Sequence, residues 1–381
     1  MLTILRNANI YSPEPMGKRD ILLLVDKIAH IADRITPPTG LGEVQLIDLK
    51  GAIVIPGLID QHVHMIGGGG EGGPSTRTPE IQLSQLTTAG VTTVVGCLGT
   101  DATTRHMNSL LAKARALEIE GLTTFIYTGA YEVPTRTVTD NVRNDLILID
   151  KVIGVGEIAI SDHRSAQPEL TELRKLAAEA RVGGMLGGKP GLFHFHVGAG
   201  PRGIQPIFDI LESTELPIHM FTPTHMNRNR RLLEQGAQFA RQGGVIDITA
   251  GPEAYKGILS LLNELGVDID QITISSDGNG SMPKFDDHGR LIGLGVGSVQ
   301  TDLETWRDLI IKGRVPMEEA LKILTTNVAR NLLLQGRKGC IKVGADADLV
   351  VLTADLEVDQ VWARGRLMVK EGQSIVKGTF E

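Results

Sequence analysis

Cysteine is nearly absent from this sequence, since Cys97 and Cys340 are the only two among 381 residues. Two cysteines cannot form a four-cysteine zinc site, and they do not suggest the disulfide framework of a secreted protein. The first eleven residues lack the apolar segment of a signal peptide. No apolar run approaches the roughly 20 residues of a membrane-spanning helix. We therefore expect a cytoplasmic protein that neither crosses nor binds a membrane.

An excess of positive charge is also lacking. The 38 Lys and Arg are outnumbered by 45 Asp and Glu, which gives a formal net charge of -7. A basic surface of the kind that binds nucleic acid is therefore not expected. An acidic protein does not attract carboxylates in general, so a carboxylate substrate would need a local cationic pocket.

The order of predicted elements divides the chain into two regions. Short β segments punctuated by proline occupy both ends, whereas apolar strands alternate with helices in the middle. Alternation of this kind predicts right-handed βαβ units and a parallel sheet, and seven or eight units favour closure. We predict an α/β fold with a (β/α)₈ TIM-like barrel over residues 56–340. Residues 1–55 and 341–381 would form one small β-sandwich domain.

The barrel strands are predicted from their apolar runs. The first is predicted within the segment 54–64, where an apolar strand ends in His62 and His64. The helices before the second strand and after the last are predicted at 79–89 and 316–334. The later strands are predicted at 91–95, 123–128, 152–160, 192–197, 218–220, 245–248 and 272–275.

The strongest local motif is His62-Val63-His64 at the end of the first apolar strand. Residues two apart on a strand face the same side, so both imidazoles would point to one place. Imidazole nitrogen is a preferred ligand of zinc and similar divalent metals. Such a pair is also common as ordinary surface or core histidines. Its position favours a metal site, because barrel active sites lie at the carboxyl ends of the strands.

Three later strand ends repeat the pattern. His196 ends the run 192–197, His225 follows the predicted strand at 218–220, and Asp277 follows the strand 272–275. Each of these alone has a structural explanation. Packing does not readily explain four histidines and an aspartate at successive strand ends. His194 and His219, placed lower on their strands, are expected to have no role in the site.

The order of these residues resembles the amidohydrolase superfamily, and longer motifs resemble its isoaspartyl (β-aspartyl) dipeptidases. The similarity extends almost from end to end, through 363–365 (ARG) and 376–380 (VKGTF). The motifs that carry it are 67–71 (GGGGE), 128–131 (TGAY), 161–165 (SDHRS), 223–229 (PTHMNRN) and 275–281 (SSDGNGS).

The resemblance implies a binuclear metallohydrolase with two divalent ions, expected to be zinc. His62, His64 and Asp277 would hold the more buried ion, and His196 and His225 the second, with a water or hydroxide bridging the pair. Asp277 would also be the general base and pass the proton to the leaving nitrogen. Tyr131 would donate a hydrogen bond to the developing oxyanion.

The same resemblance implies a β-aspartyl dipeptide substrate, which carries one ammonium and two carboxylates around the scissile β-amide. Glu71 would bind the ammonium. Arg164 and Arg228 would bind the carboxylates, because the guanidinium fork matches a carboxylate with two hydrogen bonds. Ser281 would assist one carboxylate, and Thr100 offers a second hydroxyl nearby. The family also implies a homo-oligomer, of which an octamer is one form.

One position departs from the family. Its members carry at the end of a barrel strand a lysine that CO₂ carboxylates, and that bridges the two metals. Counting back from Arg164, this position holds Glu157, while Lys151 lies at the wrong end of the strand. Glutamate has the required carboxylate on a shorter stem, and an extra residue at Gly156 suggests a β-bulge that advances the backbone. The alternative is an ordinary buried ion pair and a degraded metal site.

Two other functions stay open at this point. The protein is an amidohydrolase for a cyclic amide or an N-acyl amino acid if Glu71, Arg164 and Arg228 do not bind substrate. It is a non-catalytic metal-binding relative if ligands have been lost. The sequence retains Asp277 and all four histidines, which favours catalysis.

Overall fold

The structure is a computed structural model, and it describes residues 2–40, 42–286, 288 and 290–381. Among these residues, nine strands near the chain ends form a large sheet, eight form a curled parallel sheet, and two form a small antiparallel pair. In chain order the strands are β1 Leu2–Tyr11, β2 Pro15–Leu24, β3 Lys27–Ala32, β4 Val44–Asp48, β5 Ile53–Pro56, β6 Leu58–Val63, β7 Val91–Gly96, β8 Thr123–Thr128, β9 Val152–Ile160, β10 Leu192–Val197, β11 Phe221–Thr224, β12 Ile246–Thr249, β13 Ile272–Ser275, β14 Lys284–Phe285, β15 Leu291–Gly293, β16 Leu349–Leu352, β17 Val358–Ala363, β18 Arg366–Lys370 and β19 Gln373–Ser374.

Helices separate the parallel strands. The α-helices are α1 Leu83–Thr88, α2 Met107–Glu120, α3 Val142–Leu148, α4 Leu170–Gly187, α5 Gln205–Glu212, α6 Arg230–Arg241, α7 Ala254–Leu259, α8 Gln300–Ile311, α9 Met317–Lys322 and α10 Thr326–Asn331. Short 3₁₀ turns lie at Pro74–Thr76, Ile218–Met220 and Ile269–Gln271, and a π-helical turn at Ser260–Glu264 extends α7. No helix among the described residues is long and apolar enough to cross a membrane.

The curled sheet is built from eight parallel strands. Strands β6 to β11 pair in chain order, and β12 pairs with β13. Two backbone hydrogen bonds join these groups into a ring: His64 N–H donates to the carbonyl of Gly278 at 2.8 Å, and Met226 N–H donates to that of Asp247 at 3.2 Å. The predicted parallel α/β sheet is therefore confirmed. The carboxyl ends of all its strands face one side, where barrel enzymes build their sites.

Strands from the two chain ends form the second sheet. Its order is β19-β18-β17-β16-β5-β1-β2-β3, with β4 paired to β1. The junction between the ends is antiparallel, with Pro56 opposite Leu349 and Ile53 opposite Leu352. One face covers a core that includes Leu5, Ile10 and Trp362. Both ends contribute to one sheet, and its predicted division into two layers stays a prediction.

The apolar segment 54–64 is divided between two strands, because the chain breaks at Gly57 between β5 and β6. That residue donates its N–H to the carbonyl of Asp348 at 2.9 Å instead of extending a strand. A side chain there would collide with Thr92, whose Oγ1 lies 2.2 Å from the position of a Cβ. Glycine therefore lets β5 stay in the end sheet while β6 enters the curled sheet.

Three other predicted elements also shift. The strand expected at 218–220 is a 3₁₀ turn, and β11 starts at Phe221. The helix expected at 79–89 is only Leu83–Thr88. The helix expected at 316–334 is divided into α9 and α10. The shift of the strand matters for the site, because it places His225 directly after the carboxyl end of β11.

The β-bulge predicted beside Gly156 is confirmed. Val155 pairs with Phe193 and Ile158 with Phe195, so three residues of β9 span two of β10. Gly156 has a φ of 148°, and a Cβ there would lie 2.5 Å from the carbonyl oxygen of His194. Only glycine fits this close approach. The bulge includes Glu157 and therefore sets where its carboxylate projects.

Candidate active site

A cluster of potential metal ligands lies at the carboxyl ends of the curled sheet. Glu157 is buried, and its two oxygens lie 3.4 Å from His62 Nε2 and 3.4 Å from His64 Nε2. Asp277 Oδ1 is 3.0 Å from His64 Nε2 and 3.6 Å from His62 Nε2. These four side chains come from β6, from the bulge in β9 and from the loop after β13, and they face one point.

A second group shares Glu157 with the first. Its Oε2 lies 3.1 Å from His196 Nδ1 and 3.8 Å from His225 Nε2, and the two histidine nitrogens are 3.0 Å apart. The donor atoms of this group all lie within 4.8 Å of one another. One carboxylate therefore faces both groups, as a bridging ligand must.

The spacing of these atoms fits divalent metal ions. A nitrogen and an oxygen on one tetrahedral zinc lie about 3.4 Å apart, given bond lengths near 2.1 Å. The observed separations from Glu157 to His62 and His64 match that value. His62 Nε2 is buried and has no hydrogen-bond partner in the described part of the chain. Buried polar atoms usually have a hydrogen-bond partner. A role as a metal ligand explains why His62 Nε2 lacks one.

Several side chains orient the metal-facing histidines. His194 Nε2 lies 2.8 Å from His62 Nδ1, and Thr249 Oγ1 lies 2.6 Å from His225 Nδ1. Each contact occupies one ring nitrogen and leaves the other free for a ligand bond. The expectation that His194 has no role is therefore wrong, because a residue lower on β10 touches a ligand on β6. His219 lies in the exposed 3₁₀ turn, as expected of a residue outside the site.

The electrostatics keep the carboxylates ionised. Burial raises the pKa of Glu157, but His62 and the hydrogen bonds from His196 and His225 outweigh it and hold that pKa well below its usual value. Burial also raises the pKa of Asp277, but the hydrogen bond with His64 and the charge of His62 outweigh burial and hold that pKa below its usual value. Both groups are therefore anions at neutral pH.

Tyr131 presents its hydroxyl to the same cluster. The hydroxyl oxygen lies 2.7 Å from His196 Nδ1, and the ring is buried. Burial and then the charge of Glu157 raise the pKa of Tyr131 well above its usual value. The phenol therefore keeps its proton at physiological pH and can serve as a hydrogen-bond donor.

The cluster forms one wall of a cleft of about 670 Å³. Glu71 does not itself line this cleft, but one of its oxygens accepts hydrogen bonds from three residues that do: Ser281 Oγ at 2.8 Å, Thr100 Oγ1 at 3.2 Å and Arg164 Nη1 at 3.2 Å. Its other oxygen is buried and unpaired within the described residues. Four predicted substrate residues are thus in contact, and Glu71 keeps one oxygen available for a cation.

Asp162 is a residue that the sequence analysis missed. It accepts three hydrogen bonds from Arg164, from the backbone N–H at 2.8 Å, Nε at 3.0 Å and Nη2 at 2.9 Å, and its Oδ2 lies 3.0 Å from His196 Nε2. Arg228 Nη1 is 3.7 Å away. Asp162 therefore links the two predicted carboxylate-binding arginines to a metal-facing histidine. Its place two residues before Arg164 in the segment 161–165 was the available signal.

Every predicted site residue lies in or beside this cleft. His62, His64, Glu157, His196, His225 and Asp277 form the ligand cluster, Tyr131 contacts it, and the substrate residues are Glu71, Thr100, Arg164, Arg228 and Ser281. Lys151 lies at the opposite end of β9, where it pairs with Glu118, as expected. Cys97 also lies against the cluster, and the sequence analysis gave it no role.

Comparison with solved structures finds two beta-aspartyl dipeptidases that are similar over almost the whole chain. A crystal structure of a beta-aspartyl dipeptidase from Fervidobacterium islandicum AW-1, in complex with beta-Asp-Leu dipeptide, is 49% identical with a TM-score of 0.92. A second structure of a beta-aspartyl dipeptidase from this organism is 47% identical with a TM-score of 0.89. In both cases the match covers 98% of each chain.

Two further comparisons cover only parts of the chain. The model of the amidohydrolase family matches residues 230–376. A curated relative, dihydropyrimidinase 2 of Caenorhabditis elegans, is 37% identical over 65 residues, which is 17% of this chain and 12% of that protein. This chain thus matches only about an eighth of the curated relative, so that likeness says little about its substrate.

Proposed function

The chain belongs to the beta-aspartyl dipeptidase family of amidohydrolases, and from this premise we propose that it hydrolyses the β-aspartyl amide bond of isoaspartyl dipeptides at a binuclear metal centre. One observation carries the proposal: two arginines line one cleft with the histidine–carboxylate metal cluster, and Glu71, which has one unpaired oxygen, is hydrogen-bonded to Arg164 in the wall of that cleft. Such a cleft matches a substrate with one ammonium and two carboxylates.

The charges of the cleft support this substrate class. The positive charges of Arg164 and Arg228 equal in number the negative charges of Asp162 and Glu71. The four side chains therefore have no net charge before substrate binds. We propose that Glu71 binds the substrate ammonium through its free oxygen and that the arginines bind the two carboxylates. Ser281 and Thr100 hold Glu71 in place, and Ser281 would assist a substrate carboxylate by turning its one hydroxyl proton away from Glu71.

The chemical roles follow from the positions around the cluster. Two divalent cations, when bound, lower the pKa of a water molecule and polarise an amide carbonyl. Asp277 accepts the proton of the attacking water and delivers it to the leaving nitrogen. Tyr131 donates its hydroxyl proton in a hydrogen bond to the carbonyl oxygen as negative charge develops there. Asp162 keeps His196 and Arg164 in fixed orientations while this happens.

The test of the proposal compares substrate classes on one preparation whose metal content is measured. We expect β-Asp-Leu to be hydrolysed, and dihydrouracil and N-acetyl-leucine to react at least about 10³-fold more slowly in kcat/KM. These compounds lack the ammonium or a carboxylate, so buried charged groups would stay unpaired. A metal-loaded preparation that prefers a cyclic amide or the N-acyl amino acid would instead support the alternative amidohydrolase function.

We further propose that Glu157 bridges the two metal ions without modification. An anionic bridge offsets the repulsion between two adjacent cations, and neutral histidines cannot provide it. Contacts of 3.1–3.4 Å from Glu157 to His62, His64 and His196 support this role. The bulge at Gly156 compensates for the shorter side chain, since it changes where β9 directs residue 157.

Carbon dioxide should therefore not be needed to assemble the site. Apo-enzyme reconstituted with zinc in bicarbonate-free buffer should reach full activity, because Glu157 already carries a carboxylate. Glu157→Gln should lose metal and at least about 10²-fold in kcat. Glu304→Gln, at an exposed position on α8, is the matched control and should change neither. A requirement for bicarbonate, or a Glu157→Gln variant with normal metal content and rate, would contradict the bridge.

Other features of the enzyme are part of the same proposal. We propose zinc as the metal, because a set of histidines and carboxylates suits it. The cytoplasmic location, the homo-oligomer, the division into 56–340 and the two chain ends, and the two-layered sandwich stay proposals. Size-exclusion chromatography with light scattering measures the number of subunits directly.

A further inference from the structure

Cys97 directly follows β7 and is completely buried beside the metal cluster. Its Sγ lies 3.9 Å from His64 Nε2. The sulfur, one nitrogen each of His62 and His64, and one oxygen of Glu157 all lie within 4.8 Å of one another. Neither the sequence motifs nor the proposed reaction uses this side chain. Its position therefore calls for a separate explanation.

Packing is the simplest explanation of a buried cysteine, but it leaves one atom unexplained. Cys97 contacts the apolar cluster that contains Val95 and Tyr127, and its thiol faces the carbonyl of Val63 at 3.7 Å. This is an ordinary length for a hydrogen bond from sulfur, so it accounts for the thiol proton but leaves the sulfur lone pairs unused. It also does nothing for His62 Nε2, the buried nitrogen that has no hydrogen bond among the described residues.

The spacing matches shared coordination. With Asp277 this ion would have five ligands, and a sulfur and a nitrogen at 90–120° on one zinc lie about 3.1–3.8 Å apart, given Zn–S near 2.3 Å and Zn–N near 2.1 Å. The 3.9 Å between Cys97 Sγ and His64 Nε2 is close to the upper end of this range. The same comparison holds for the 3.4 Å separations between Glu157 and the two histidines. The side chains of Cys97, His62, His64 and Glu157 are all buried. Their ligand atoms are close enough to contact one ion in the protein interior.

We propose that Cys97 is an additional ligand of the more buried metal ion, bound through its thiolate sulfur. This inference rests on the metal centre of the proposed function. On binding, the thiol loses its proton to solvent and the sulfur donates an electron pair to the metal, with no change of oxidation state. A soft thiolate beside two imidazoles favours zinc and cobalt over magnesium and manganese. Cys97 is thus a determinant of which metal occupies the buried position.

The experiment uses the metal as a spectroscopic probe. Apo-enzyme loaded with two equivalents of Co²⁺ should show the near-ultraviolet absorption of thiolate-to-cobalt charge transfer. Cys97→Ala should lose that band, and Cys97→Ser should lose it as well while preserving the size of the side chain. Cys340→Ser, which changes the only other cysteine of the sequence, should keep it. A wild-type protein without the band, or a Cys97→Ala variant that retains it, would overturn the assignment.

A second measurement needs no variant and therefore does not depend on the folding of one. X-ray absorption at the zinc edge of the wild-type enzyme should reveal a sulfur neighbour at about 2.3 Å. A shell of nitrogen and oxygen alone would refute the inference. Contacts outside the ligand shell already affect metal affinity by roughly 10–100-fold. Loss of the sulfur should therefore raise the zinc dissociation constant of the buried position at least 10-fold.

Hydrolysis of β-Asp-Leu by the same sample separates this inference from the function on which it rests. An active, zinc-loaded enzyme without sulfur ligation would refute the role of Cys97 and leave the dipeptidase function intact. A protein that binds no divalent metal would refute both. Sulfur ligation in a metal-loaded protein that does not cleave β-Asp-Leu would support Cys97 and contradict the dipeptidase function.

Discussion

β-Asp-Leu should be hydrolysed at a kcat/KM roughly 10⁴-fold above that of α-Asp-Leu, the discrimination that a site built on hydrogen bonds and ion pairs can reach. The two dipeptides contain the same atoms and carry the same charges. They differ in where the ammonium and one carboxylate lie relative to the scissile amide. If Glu71 binds the ammonium and Arg164 and Arg228 bind the carboxylates, as proposed, we expect only the β-linked isomer to satisfy all three with its amide at the metal cluster.

The contribution of one arginine can be measured separately. Arg228→Met should lower kcat/KM for β-Asp-Leu by about 10²-fold or more, because a carboxylate then enters the cleft without its ion pair. The matched control is Arg230→Met, two residues away, which removes an exposed guanidinium that pairs with Glu234 and Glu264 on the surface. Arg230→Met should leave kcat/KM nearly unchanged.

Equal kcat/KM values for β-Asp-Leu and α-Asp-Leu would remove the main reason for assigning this substrate.

Asp277→Asn should retain substrate binding and lose about 10²–10⁴-fold in kcat, the range that a general base contributes. Asparagine preserves the shape of the side chain but cannot accept the proton of water. KM should therefore change little compared with kcat. The measurement is steady-state kinetics on β-Asp-Leu, with metal content determined on the same variant because Asp277 is also a proposed ligand.

Two controls make the Asp277 experiment decisive. Asp270→Asn removes a half-exposed carboxylate outside the cleft and should behave like the wild type. Full metal occupancy in Asp277→Asn assigns the loss of rate to proton transfer. A variant with full metal and a near-normal kcat would show that another residue is the base.

The sequence predicted the parts of the fold that depend on repeated local patterns. Apolar runs alternating with helices specify a parallel sheet, and the motif from His62 to His64 marks where its first strand delivers two ligands. The break at Gly57 was not predicted, because an apolar run carries no sign of which sheet its residues join. That choice depends on the close contact with Thr92, a residue that is distant in sequence.

The sequence predicted the residues proposed as metal ligands, but it missed several residues that contact them. His196 and Asp277 were found because they follow apolar strands and belong to long motifs. His194, Asp162 and Cys97 were missed, since their importance comes from contacts across neighbouring strands. The position of Cys97 beside His64 depends on how β6 and β7 pair, and a single sequence does not specify that register.

The pairing of β5 with β16 has a consequence for biosynthesis. Pro56 and Leu349 are 293 residues apart, so one edge of β5 stays open until the residues of β16 have left the ribosome. At about 5–20 residues per second, this interval lasts on the order of tens of seconds. An uncovered strand edge is a place where nascent chains pair with one another. The yield of folded protein should therefore rise when chaperones are co-expressed or the growth temperature is lowered, even though the folded molecule is well packed.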